Sequence, residues 1–276
     1  MPALSSILIN TPDIEVWPGG LLRARSNHDA RLLSRAHHVL RRKRDGRYLA
    51  ADLPEGLRPM MAGAMRDAGM PAALAALKRD VHSTRCRPAT LLPLHRLRER
   101  LETLGLDAGY AERSGLALVA EPAWLALAGF DRYRRPLWLG ADAARAWSRM
   151  RDSASRDDVL LEAISGYRSH AYQLGIFERK RARGLGIADI LAVNAAPGYS
   201  EHHSGRALDI GTPGEPAAEE SFEGTAAFSW LAANAAGFGF TMSYPRDNPH
   251  GIVYEPWHWC WQPQGAVARA VIPASA

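Results

Sequence analysis

The segment YEPWHWCW, residues 254–261, places Glu255 three positions before His258. A second segment, PGYSEHHSGRALDIG at 197–211, sets His202 and Asp209 on either side of a glycine turn. RALDI alternates as a strand does, so a turn before it can fold the imidazole back beside the carboxylate. Two imidazoles and one carboxylate, from His202, Asp209 and His258, would give zinc three protein ligands and leave a fourth position to water. That open count belongs to catalytic rather than structural zinc. The metal lowers the pKa of bound water to about 7, and a nearby carboxylate can take its proton and pass it to a leaving amine. Glu255 is the carboxylate at hand.

Each spacing alone is weak. With 29 acidic residues and 10 histidines, roughly one acid-x-x-His pair arises by chance. Asp247 and His250 form another such pair, and His38 with Asp45 repeats the His202–Asp209 spacing. His203 competes with its neighbour as a ligand. In a regular strand, moreover, residues three apart face opposite sides. Pro256 pushes Glu255 toward polyproline geometry, whose three-residue turn would return Glu255 and His258 to one face.

The elements that must carry these groups read as α+β: a small antiparallel sheet flanked by helices, with a mainly helical N-terminal region. His28–Arg44 has helical spacing in Leu32, Leu33, Ala36, Val39 and Leu40 and ends in RRKR. Leu94, Leu97, Leu101 and Leu104 predict a second helix, stopped by Gly105. Further on, Asp142 is expected to cap a helix bearing Trp147 and Met150, and Ser169 one bearing Tyr172 and Phe177. Thr225–Ala236 predicts another, stopped by Gly237. FGFTMSYP and IVYEPWHWCW read as two strands joined by RDNPHG.

A chain of 276 residues, 47% hydrophobic, can bury a core without covalent staples. Its cysteines, Cys86 and Cys260, make no disulfide framework. A net charge of +5 favours anionic surroundings without choosing among them. RRKR lacks the aromatic or helix-turn-helix company of a nucleic-acid reader. No apolar run approaches the roughly 20 residues of a membrane helix. MPALSSILINTPDIEVWPGG has no basic lead and is broken by Asn10 and Pro12, so it does not read as a secretory signal.

SGYRS at 165–169, Gln173, the frame S-x-H-x-x-G-x-A-x-D from Ser200 to Asp209, and EPWHW at 255–259 occur in that order. Together they resemble the VanY-type zinc D-alanyl-D-alanine carboxypeptidases, a group that includes D-Ala-D-Ala dipeptidases and some phage endolysins. The resemblance covers roughly residues 115–262. It implies His202, Asp209 and His258 as ligands of one zinc, which decides between the adjacent histidines, and Glu255 as general base and acid. It implies Arg168 on the substrate carboxylate or oxyanion, Gln173 and Ser200 lining the pocket, and Tyr254 and Trp259 walling it. Where the family continues EPWHW with Arg-Tyr, this chain has Cys260-Trp261. A thiolate there could close the site as a fourth ligand, but the expected role of Cys260 is that of a buried small residue.

The expected organisation is an Arg-rich N-terminal region at 1–110, a catalytic domain at 111–264 and a tail at 265–276. The expected activity is removal of the terminal D-Ala from peptidoglycan stem peptides. A D-Ala-D-Ala dipeptidase, an L-Ala-D-Glu endopeptidase and a non-catalytic zinc-stabilised wall-binding module are the alternatives. As written the chain reads as cytoplasmic, whereas the implied substrate lies in the periplasm or cell envelope.

Overall fold

The computed structural model describes residues 7–81, 90–94, 97–106 and 109–263. Cys86 and the 265–276 tail lie outside them.

Two antiparallel sheets organise the chain. The first has seven strands: β1 (Ile7–Asn10), β2 (Ile14–Pro18), β3 (His38–Arg42), β4 (Tyr48–Leu53), β5 (Gly56–Pro59), β6 (Trp124–Phe130) and β7 (Pro136–Leu139), in the order β5-β4-β3-β2-β1-β6-β7. The second has four: β8 (Glu162–Ser165), β9 (Ala207–Gly211), β10 (Phe240–Met242) and β11 (His258–Trp261), in the order β10-β11-β9-β8. Among the described residues eight α-helices intervene: α1 (Asn27–Leu33), α2 (Met70–Val81), α3 (Leu97–Thr103), α4 (Tyr110–Ser114), α5 (Ala141–Arg156), α6 (His170–Ala182), α7 (Ile187–Ala192) and α8 (Ala226–Asn234). The architecture is α+β, as expected. None of the described helices is long and apolar enough to cross a membrane.

The N-terminal region is not mainly helical, and five of its segments are strands. The helix expected over 28–44 ends at Leu33, and His38–Arg42 is β3, held between β2 and β4. Val39 and Leu40 fit a helical period, but both are fully buried in the sheet, where distant pairing overrides local spacing. The RRKR run is largely absorbed there: Arg41 pairs with Glu15, Arg42 with Asp45 and Asp67, and Lys43 with Glu121. β1 pairs with β2 on one side and β6 on the other, so residues on both sides of position 110 share one sheet.

The stripe Ala143, Ala146, Trp147, Met150 and Ala154 of α5 joins Leu137 and Leu139 of the first sheet to Leu208, Ile210, Phe240 and Trp259 of the second in one core, completed by Phe222 and Leu231. Asp142 is not the cap of α5. Gly140 holds that place and its carbonyl accepts from Ala144 N, while Asp142 in the first turn pairs with Arg145. The Ser169 cap forms as expected, accepting from Tyr172 N at 3.1 Å, and Thr225 caps α8 by accepting from Phe228 N at 3.1 Å. α8 yields at Asn234 to a 3-10 turn that ends on Gly239, φ +85°, rather than on Gly237. α3 is followed by Gly105 at φ +75°, the left-handed stop its spacing predicts.

Candidate metal centre and active site

β9 and β11 run antiparallel with Asp209 directly opposite His258. Their side chains emerge on one face of the sheet, and His258 Nδ1 lies 3.1 Å from Asp209 Oδ1. His202 comes from the 3-10 turn Glu201–Ser204 just before β9. Gly205 reverses the chain with φ +67°, and a Cβ there would meet Leu125 Cδ2 at 2.6 Å and Gly140 N at 3.0 Å. The reversal brings His202 Nε2 to 3.2 Å from Asp209 Oδ1. One ligand atom from each of the three residues lies within 4.8 Å of the others, and all three residues are buried.

Both rings are oriented from behind. His202 Nδ1 donates to Gly166 O at 2.7 Å, which leaves Nε2 as the lone-pair nitrogen, buried with no hydrogen-bond partner. His258 Nε2 faces Glu201 Oε2 at 2.9 Å. Burial alone would favour a neutral His258, but its hydrogen bonds to Asp209 and Glu201 raise its pKa to about 10. Glu201 is lowered to about 2 against its own burial, chiefly by the bond to His258. Burial, with Arg168 nearby, lowers His202 to about 4. Such a set, one imidazole neutral and another protonated between two carboxylates, suits a divalent cation with N and O preference that displaces the extra proton.

Glu255 and His258 share a face, though not through polyproline geometry. His258 N donates to Glu255 O at 3.1 Å, closing a four-residue turn with Pro256 second, and β11 begins only at His258. The apolar run from Ile252 therefore enters the sheet later than its composition suggests. Glu255 N is pinned to Tyr244 O at 3.0 Å, and Glu255 Oε2 lies 3.8 Å from His258 Nδ1. Burial, reinforced by Asp209 and Glu201 and opposed by His258 and Arg168, raises Glu255 to about 7.

These groups line a cavity of about 270 Å3 together with Arg168, Gln173 and Ser200. Arg168 sits in the loop between β8 and α6, with its N–H donating to His202 O at 3.2 Å. Gln173 donates to Ala195 O at 2.9 Å and keeps a buried Oε1 without a partner. Tyr254 and Trp259 stand elsewhere. Arg246 covers the Tyr254 ring at 4.0 Å, and Trp259, one residue past His258 on β11, points into the core. Trp257 and Tyr244 line the cavity instead, Tyr244 with its ring 4.8 Å from that of His258. The turn explains the exchange, because it presents Trp257 where an unbroken strand would not.

His203 is turned away. Its Nδ1 donates to Arg168 O at 2.6 Å and its Nε2 accepts from Gly198 N at 3.0 Å. Cys260 is buried, burial pushes its thiol pKa up, and it is not in the ligand group. Glu201 was hidden in a variable position of the S-x-H frame, and no spacing rule singles it out.

The family model for D-alanyl-D-alanine carboxypeptidases (VanY) matches residues 136–264. YodJ of Bacillus subtilis is 35% identical over 133 residues, 47% of this chain and 48% of its own, so the chain spans about half the length of that relative. The bifunctional D-Ala-D-Ala dipeptidase and D-Ala-D-Ala carboxypeptidase VanXYC of Enterococcus gallinarum is 31% identical over 145 residues, 50% of this chain and 74% of that protein. Among solved structures, the LdcB LD-carboxypeptidase aligns with a TM-score of 0.45 and 31% identity over 48% of this chain and 64% of that one. With the matched segment carrying β8, β9, β11 and the whole His–Asp–His cluster, the chain belongs to the VanY family of D-alanyl-D-alanine carboxypeptidases.

Proposed function

We propose that the chain is a zinc peptidase hydrolysing the terminal D-Ala–D-Ala bond of peptidoglycan stem peptides. The observation that carries this reading is the convergence of three buried ligand atoms beside a carboxyl group held near neutrality. His202, Asp209 and His258 would hold one zinc, for which the partnerless Nε2 of His202 is a ready donor. When bound, the ion supplies a Lewis acid that polarises the scissile carbonyl and acidifies water.

Glu255, with a pKa about 7, takes a proton from the attacking water and returns it to the amine of the departing D-Ala. The C–N bond breaks as that proton arrives, leaving free D-Ala and a stem one residue shorter. Arg168 offers a fixed charge and several donors to the oxyanion or the substrate carboxylate. Gln173 and Ser200, on the cavity wall, hold the peptide. Dipeptidase action on free D-Ala-D-Ala is the second reading, favoured by the double activity in the name of the E. gallinarum relative.

The experiment is mass spectrometry of muropeptides incubated with the zinc-loaded protein, with and without chelator. Loss of one D-Ala from pentapeptide stems, stopped by chelator and restored by zinc, is expected. Stems that stay whole while free D-Ala-D-Ala is cleaved would make it a dipeptidase. Zinc retention with no turnover of either would make it a binding module.

A further inference from the structure

Strands before residue 60 contribute nothing to the His–Asp–His cluster, yet they wall a second cavity beside it. This hollow of about 180 Å3 is lined by Trp17, Arg41, Arg135, Trp138, Arg168 and Tyr172, among others. Arg168 also lines the catalytic cavity, so the two hollows share that residue as a wall. At about 270 Å3 the catalytic cavity lies below the ~300 Å3 where ligand sites usually begin. It suits the end of a stem peptide, and the remainder must continue outside it.

The second cavity has the chemistry to receive that remainder. Trp138 is 4% exposed and its indole N–H is buried without an acceptor, as is Nε of Arg168. Both nitrogens are closed to solvent, so a ligand in the hollow meets the other donors of its wall. Trp17 meets Trp138 edge to face at 5.2 Å, and Tyr172, 44% exposed, offers an aromatic rim. Arg41 and Arg135 each hold a carboxylate, Glu15 at 2.7 Å and Asp131 at 2.5 Å, and each keeps further N–H donors of its fork.

The walls are fixed to each other. Lys43, on the same lining, forms a buried pair with Glu121 at 2.5 Å. That carboxylate also accepts from Tyr167 Oη at 2.5 Å, Asn10 Nδ2 at 3.1 Å and His170 N at 2.8 Å. One anion thus ties β1 and the end of β3 to the loop bearing Arg168, and the hollow is preformed.

The geometry points to a subsite here for the acidic part of the stem peptide upstream of the scissile bond, with Trp17, Arg41 and Tyr172 as specificity residues. This rests on the D,D-carboxypeptidase reading and favours it over the dipeptidase, since a free dipeptide leaves the subsite empty. The test compares N-acetyl-D-Ala-D-Ala with a stem pentapeptide carrying free side-chain carboxylates, using zinc-loaded wild type, Tyr172→Ala and Arg41→Gln. Each variant is expected to lose about tenfold in kcat/KM on the pentapeptide and stay within about twofold on the acetylated dipeptide. Equal losses on both peptides, or none on either, overturn the subsite.

Should wild type cleave neither peptide, the activity reading falls, and calorimetry with the tetrapeptide product decides the subsite separately. About tenfold weaker binding to Tyr172→Ala than to wild type supports it, and equal affinity overturns it.

Discussion

Glu201 Oε2 lies 2.9 Å from His258 Nε2, on the far side of the ring from Asp209. The carboxylate fixes which imidazole nitrogen carries the proton and leaves Nδ1 for a metal. Glu201→Gln is therefore expected to weaken zinc binding by about 10- to 100-fold with little loss of melting temperature. Competition against a chromophoric chelator measures this directly, and unchanged affinity would show that His258 needs no such support.

Glu255 lines the catalytic cavity, and its carboxyl is held near neutrality by burial. Glu255→Gln should lower kcat by roughly 10²- to 10⁴-fold, the span of general acid–base assistance, with zinc content unchanged. A variant retaining near-full turnover would remove Glu255 from the mechanism.

Lys43 and Glu121 are a buried ion pair between the N-terminal strands and the active-site loop. Lys43→Met strands the Glu121 charge, and about 3–5 kcal/mol of stability should be lost in denaturant titrations. A loss below about 1 kcal/mol would class the pair with surface bridges.

The same pair gives a signed acid response. Burial alone would raise Glu121, yet the Lys43 charge, His170 and hydrogen bonds from Lys43 and Tyr167 lower it to about 2 from 4.5. A folded pKa below the unfolded one means the contribution is complete above pH 4.5 and disappears as pH falls toward 2. Thermal melts between those values should fall more steeply for wild type than for Glu121→Gln. Parallel curves would deny the linkage.

The His–Asp–His cluster was legible because its members come with framing residues whose local shape is itself written in sequence: Gly205 for the reversal, Pro256 for the turn. The aromatic wall was misplaced by two residues, since EPWHW reads as strand but turns until His258, giving the wall to Trp257. The N-terminal sheet was missed for a different reason. Leu32, Leu33, Val39 and Leu40 satisfy a helical period, and only partners far along the chain, such as Val16 and Ala50 on either side of Leu40, make the second pair a strand. Glu201 carried no signal at all, because its value depends on where a ring 57 residues away turns its second nitrogen.

The sheet order β2-β1-β6-β7 bears on how this chain can be dissected. The stretch matched by the family model opens at Pro136, the first residue of β7. Excising that stretch would strip β7 of its neighbour and uncover Leu137, Trp138 and Leu139 along a raw hydrogen-bonding border, an invitation to self-association. The matched portion therefore omits β1 to β6, the strands with which β7 forms its sheet.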